Sequence, residues 1–257
     1  MKIDRILANN PGPYTGPGTN TWLLDDGSGT VVIIDPGPVD TKHANAIMDV
    51  VGGRTVDQVL VTHTHSDHAP LANPLARDLG VAAVGYAPGP NFHPEIRLLD
   101  GARFTVGSLE VEVVHTPGHS DDHLCFRAGN VLFTGDHIMG GSSVMVEKLG
   151  PYLASLEKLK GTGLERLHPG HGETMDDPDV VIDWYVAHRL QRHEEVFEAI
   201  ARGVDNVPEI VEEVYAEVDR SLHPLAARSV DAHVTLLIDQ ERITLRGDRL
   251  VVVSPNR

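Results

Sequence analysis

The chain has 257 residues, 41% of them hydrophobic, with 25 Gly and 17 Pro, which describes a turn-rich globular protein of one large domain or one domain plus a small appendage. A formal net charge of -16 at pH 7 opposes long-range attraction to nucleic acid and favours small or neutral substrates. The single cysteine, Cys125, excludes an internal disulfide and a Cys-rich zinc finger, and no stretch reads as a signal peptide or membrane span, which together favour the cytoplasm.

Taken in chain order, Thr21 to Leu24 and Val31 to Ile34 read as two strands joined by a turn at Asp25, Asp26, Gly27 and Gly29. The second strand ends at Asp35-Pro36-Gly37. A helix is expected around His43 to Val50, and the β-branched run Val56 to Val61 reads as a buried strand that delivers the chain to His63. Helical spacing then runs from Asp67 to Leu79, followed by a short strand at Val81 to Val84. Further strands are expected at Leu109 to His115, Leu124 to Arg127, Val131 to Phe133 and Leu164 to Leu167, with a helix near Tyr152 to Lys160. Strands followed by helices in both halves suggest two packed sheets covered by helices, a four-layer arrangement.

Beyond Asp176 the character changes. Val180 to Ala201, Val207 to Val218 and Ala226 to Asp239 read as three helices, and Ile243 to Leu245 with Leu250 to Val253 as a hairpin, a winged-helix-like pattern. That pattern would suit nucleic-acid contact through a recognition helix, but the region has no lysine and its arginines are outnumbered by Asp and Glu, so a lid or packing module is the preferred reading.

Fifteen histidines are present, and their placement carries the argument. In Thr62-His63-Thr64-His65-Ser66-Asp67-His68 four ligand-type residues fall within six positions at a strand's end. Residues two apart in an extended segment point the same way, so His63 and His65 can aim at one ion, while Asp67 and His68, expected to begin the next helix, can face a second. Downstream, His119, Asp136 and His171 each follow a predicted strand beside Gly, in Thr116-Pro117-Gly118-His119, Thr134-Gly135-Asp136 and Pro169-Gly170-His171-Gly172. His43, His93, His188, His193, His223 and His233 are isolated and suit surface or capping roles. His115, His123, His137 and His168 lie near the motifs as candidate hydrogen-bonding partners of the ligands.

His-x-His-x-Asp-His, then Gly-His, Gly-Asp and Gly-His-Gly in this order resembles the metal signature of the metallo-β-lactamase superfamily over roughly residues 15 to 175. The resemblance implies a four-layer αββα sandwich and two Zn²⁺ per chain, with Fe or Mn compatible with the same donors. Carried over by position, His63, His65 and His119 would hold one ion, Asp67, His68 and His171 the other, and Asp136 would bridge them. A water bridging the ions would lose its proton near neutral pH, making hydroxide the nucleophile, with Asp67 orienting it and moving its proton. No nucleophile-elbow sequence is present, and Cys125 lies in an apolar strand, so covalent catalysis is poorly supported.

Asn10-Pro11-Gly12-Pro13, Gly18-Thr19-Asn20-Thr21, His119-Ser120-Asp121-Asp122-His123 and Gly135-Asp136-His137-Ile138-Met139-Gly140 narrow the resemblance to the β-lactamase-like protein 2 branch. That branch implies a catalytic domain over 1–175 and a winged-helix-like domain over 176–257. Some of its members cleave single-stranded RNA, and bacterial relatives are commonly labelled hydroxyacylglutathione hydrolases or β-lactamases. The bridging aspartate argues against antibiotic hydrolysis, and the acidic charge against RNA. The expected function is therefore hydrolysis of a small ester or thioester. A single-strand-specific endoribonuclease and a β-lactamase or lactonase are the enzymatic alternatives, and a non-catalytic nucleic-acid-binding regulator ranks last. No membrane partner is expected, and a homodimer is compatible with the sequence.

Overall fold

In the computed structural model, residues 1–141 and 143–253 are described. The first sheet is built from Lys2–Leu7 (β1), Asn20–Asp25 (β2), Thr30–Ile34 (β3), Thr55–Leu60 (β4), Ala82–Gly85 (β5) and Ile96–Arg97 (β6), in that spatial order. Strands β1 to β3 run antiparallel to their neighbours, and β3 to β6 are parallel. Parallel neighbours need crossovers, which Thr41–Val51 (α1) and Ala72–Leu79 (α2) supply. Asp40 caps α1, its side chain accepting the N–H groups of Lys42 and His43.

Alternation along these strands separates two cores. Leu23, Val31, Ile33 and Val59 face Ile47 and Val51 of α1 and Leu75 of α2. Trp22, Leu24, Val32, Ile34 and Leu60 point the other way, against Val111, Val113, Leu124, Phe126 and Phe133. The latter set belongs to the second sheet, formed by Arg103–Val106 (β7), Leu109–His115 (β8), Leu124–Ala128 (β9), Val131–Gly135 (β10), Arg166–Pro169 (β11) and Met175–Asp176 (β12). Its order is β12-β11-β10-β9-β8-β7, with only β10 and β11 parallel. Leu23, Leu24, Ile33 and Ile34 are at most 1% exposed, so each contributes about 1.5–3 kcal/mol by burial.

Several expectations shift. Helix α2 begins at Ala72, so Asp67 and His68 lie in a turn before it. Pro70 disfavours helical backbone at Ala69, and the peptide groups here bond elsewhere: Gly37 N–H donates to His68 O and Leu71 N–H to Gly37 O. The strand expected at 164–167 runs Arg166–Pro169, two residues later, and so carries His168 itself. Strand β1 escapes pattern reading because an edge strand has a single neighbour and, of its residues, only Ile6 is buried.

The chain divides into two compact units. The first comprises Met1–Pro117, Asp121–Val144 and Lys160–Asp179. The second comprises Gly118–Ser120, Met145–Leu159 and the chain from Val180 on, so it takes in segments that precede residue 176. It contains Leu149–Leu159 (α3), Pro178–Ala201 (α4) from Val180 onward, Val207–Val214 (α5), His223–Asp239 (α6) and the hairpin Ile243–Arg246 (β13) with Arg249–Val252 (β14). Val196, Ile200, Ile210, Val211, Val230, Leu237, Ile243 and Leu250 form its core. Helix α5 ends at Val214 rather than 218, and α6 starts at His223 with Pro224 in its first turn, where the missing N–H costs nothing. The last four residues of the expected second domain lie outside the described residues.

Candidate metal centre

Every motif residue sits just past a strand or in the turn that follows one, and the buried environment there dictates which ring atom each histidine turns inward. The anchor is Asp35, at the end of β3 and 1% exposed, with a left-handed backbone (φ 50°) that is unusual for a non-glycine. Its Oδ1 accepts Thr62 N–H (2.7 Å), and its Oδ2 accepts both Thr62 Oγ1–H (2.6 Å) and the Nδ1–H of His68 (2.9 Å). Since the Thr62 hydroxyl donates to Asp35, it accepts from His63 Nδ1–H at 3.0 Å. His171 Nδ1–H donates to Gly18 O (3.1 Å) and His119 Nδ1–H to Met145 O (2.7 Å). With Nδ1 committed as donor, each of these four rings carries a lone pair on Nε2.

Those lone pairs converge. His63, His65, His119 and Asp136 each offer a ligand atom, all within 4.8 Å of one another, and Asp67, His68 and His171 form a second such group. His63 Nε2 lies 2.9 Å from His65 Nδ1, and His68 Nε2 lies 3.2 Å from His171 Nε2. Asp136 Oδ1 is 3.4 Å from His68 Nε2 and 3.3 Å from His171 Nε2, while its Oδ2 faces His63 Nε2 at 3.9 Å. Asp67 Oδ2 lies 3.3 Å from His68 Nε2 and 3.1 Å from His171 Nε2, and accepts Thr19 Oγ1–H at 3.1 Å.

Buried nitrogen lone pairs facing one another repel unless a cation or proton lies between them. Five imidazoles and two carboxylates form an N/O donor set suited to Zn²⁺, Fe or Mn, so the residues fit a pair of such ions. Without metal, protons fill that role. Burial disfavours charge on His171, yet the carboxylates of Asp136 and Asp67 raise its pKa to about 9. Burial likewise opposes charge on His68, but Asp136, Asp67 and Asp35 hold its pKa well above the ordinary range. Burial opposes ionisation of Asp136, and His68 with His171 outweigh it, keeping the carboxyl well below its usual range.

The packing leaves no room for larger residues at Gly170. A Cβ there would lie 2.6 Å from Asp136 Oδ1 and 2.7 Å from His68 Cε1.

The remaining histidines divide differently from expectation. His43 is buried, not at the surface: Thr21 Oγ1 donates to Asp35 O (2.7 Å) and accepts from His43 Nε2–H (2.8 Å), bracing the Asp35 turn from below. His193 and His233 are also buried, their Nδ1 atoms 3.4 Å apart, because one face of α6 packs on α4 inside the second unit. His93 is exposed as expected. His168 packs between Trp22 and Phe133, His115 stacks on Tyr86, and His123 Nε2 accepts the backbone N–H of Asp136. The sequence gives no role to Asp35, Thr62 or Thr19, although Thr62 and Thr19 fall within the quoted motifs. The Asp-Pro-Gly after a β-branched strand was the signal available for Asp35, and it reads equally well as a plain strand end.

Residues 14–171 match the metallo-beta-lactamase superfamily and residues 207–249 the beta-lactamase associated winged helix domain. The chain belongs to the metallo-β-lactamase superfamily and is a hydrolase of α/β metallo-β-lactamase fold with a C-terminal winged helix. Among curated relatives it is 35% identical to a beta-lactamase-like protein 2 homolog of Drosophila melanogaster, over 91% of this chain and 87% of that one. It is 32% identical to the atrochrysone carboxyl ACP thioesterase nsrC of Aspergillus novofumigatus, over 77% of this chain and 65% of that one. Among solved structures, a beta-lactamase domain protein from Burkholderia ambifaria superposes with a TM-score of 0.84 at 24% identity, covering 98% of this chain and 91% of that one. No helix among the described residues is long and apolar enough to cross a membrane.

Proposed function

We propose that the protein is a two-metal hydrolase of small esters or thioesters, with zinc the expected metal. His63, His65 and His119 would hold one ion, Asp67, His68 and His171 the other, and Asp136 would be shared. The observation that carries this reading is Asp136 itself, one oxygen turned to His68 and His171 and the other to His63. Bound there, two divalent cations would supply a water acidified toward neutral pH and polarise the scissile carbonyl.

The chain's own residues do the rest. Asp35, Thr62, Gly18 and Met145 fix the ring orientations through Nδ1, as outer partners of metal ligands do. We assign Asp67 to orient the attacking water and accept its proton, with Thr19 holding Oδ2. The thioesterase relative supports an acyl substrate. The winged helix favours RNA as the second reading, against which stand the net charge of -16 and the absence of lysine after Lys160.

The test is a parallel assay of metal-loaded protein on a thioester, a lactone, a β-lactam and a single-stranded RNA, each with Asp67→Ala and Asp136→Ala controls. Thioester or ester cleavage lost in both variants is expected. RNA cleavage alone would replace the substrate assignment, and an Asp136→Ala protein that keeps two metals and full activity would refute the shared ligand.

A further inference from the structure

We infer that Asp122 and His123 form a clamp that sets the position of the two ligand-bearing turns, with His123 the positioning residue for Asp136. The inference rests on the metal assignment above and concerns residues that assignment leaves unused.

Two consecutive side chains reach two different turns. Asp122 Oδ2 accepts the N–H of Thr64, the residue between His63 and His65, at 2.9 Å. His123 Nε2 accepts the N–H of Asp136 at 3.1 Å. Backbone bonds on either side, Leu124 N–H to Thr62 O (2.7 Å) and Thr116 N–H to His123 O (2.9 Å), hold the pair in register. The turn carrying His63 and His65 and the turn carrying Asp136 are thereby tied to one point at the start of β9.

The bonding also selects a single tautomer. A backbone N–H only donates, so His123 Nε2 must present a lone pair and Nδ1 must carry the proton. That proton goes to Thr116 Oγ1 at 2.8 Å. The Thr116 hydroxyl then donates to Cys125 Sγ (3.3 Å), and the thiol points to Thr134 O (3.7 Å). The chain of donors runs in one direction and returns to β10, the strand that leads into Asp136. The ring can sit this close because residue 135 is glycine: a Cβ there would lie 2.7 Å from His123 Nε2 and 2.7 Å from Thr62 Oγ1, on a backbone with φ 47°. A ring that merely filled space would need neither the tautomer nor the bond to Asp136.

The experiment compares full-length wild type with His123→Gln, His123→Leu, Asp122→Asn and Asp122→Ala, each loaded with Co²⁺. Cobalt per chain, the visible absorption bands, the rate of cobalt loss to a chelator and the thermal midpoint of the metal-free protein are measured. Gln can still accept the Asp136 N–H, and Asn the Thr64 N–H, so both should keep the wild-type bands and release cobalt within about threefold of the wild-type rate. Leu and Ala should release it about 10–100-fold faster, with altered bands. If His123→Leu does not fold, His123→Asn, whose shorter amide reaches Thr116 but not Asp136, is compared with Gln under the same expectation. Wild-type retention in the Leu and Ala variants, or equal loss in the Gln and Leu variants, overturns the clamp while leaving the metal assignment standing. A wild-type protein that binds no cobalt overturns both.

Discussion

Asp35 Oδ2 and His68 Nδ1 meet at 2.9 Å in a site where the two side chains are at most 2% exposed, and this one bond settles which nitrogen of His68 faces Asp136 and His171. The same carboxylate receives the backbone and hydroxyl donors of Thr62, so a single residue at the end of β3 governs two of the ligand rings.

Asp35→Ala removes the acceptor of three buried donors at once. An unsatisfied buried donor costs about 1–3 kcal/mol, so the variant should melt well below wild type, and its metal affinity should drop about 10–100-fold. Calorimetry of the metal-free protein and competitive metal titration check the two effects separately. Unchanged affinity would show that the His68 ring is held by other means.

Gly170→Ala should damage the centre more than the fold. The added methyl falls 2.6 Å from Asp136 Oδ1 and 2.7 Å from His68 Cε1, so the ligands must shift to accept it. Elemental analysis after dialysis should find fewer than two metals per chain while far-ultraviolet circular dichroism stays like that of wild type.

Loading the metal-free protein at pH 7 should release protons. His68 and His171 are held above neutrality by the carboxylates beside them, His171 at about 9, and a ligating imidazole must be neutral. Protons from His68 and His171, joined by one from the water the cations acidify, should appear as both ions bind, and affinity should rise as pH climbs from 7 toward 9. Calorimetric titration in buffers of different ionisation heat measures the number. Binding without proton release would contradict the electrostatics described above.

His168 gives the fold a sensitivity to acid. Burial between Trp22 and Phe133, then the charge of Arg166, lower its pKa to about 4, whereas the unfolded chain protonates it near 6.5. The unfolded state thus binds more protons between these values, so stability is fully present above about pH 6.5 and is lost as pH falls toward 4. The loss amounts to about 3 kcal/mol at most. Neither ring nitrogen has a hydrogen-bond partner among the described residues, so His168→Phe should fold and flatten the acid limb of a denaturant-derived stability curve. An unchanged slope would assign the acid sensitivity elsewhere.

Much of this architecture is already legible in local pattern. The unbroken apolar runs at 22–24 and 31–34 read as strands without showing which residue faces which core, and glycine beside a polar residue at each strand exit marks His119, Asp136 and His171 as ligand types. The spacing of His63, His65, Asp67 and His68 points to metal because those residue types have few other reasons to crowd one turn. What local pattern does not contain is the Nδ1 partner of His68, His119 and His171. Asp35 is 33 residues from His68, and Gly18 is 153 from His171, so the choice of inward-facing nitrogen depends on bonds that exist only once the sheets have packed. Burial of His43, His193 and His233 was decided in the same way, by neighbours distant in sequence. Helix α2 starts late for a related reason: the peptide groups of His68 and Leu71 are taken by Gly37, and a backbone group bonded across the fold is not available to a helix.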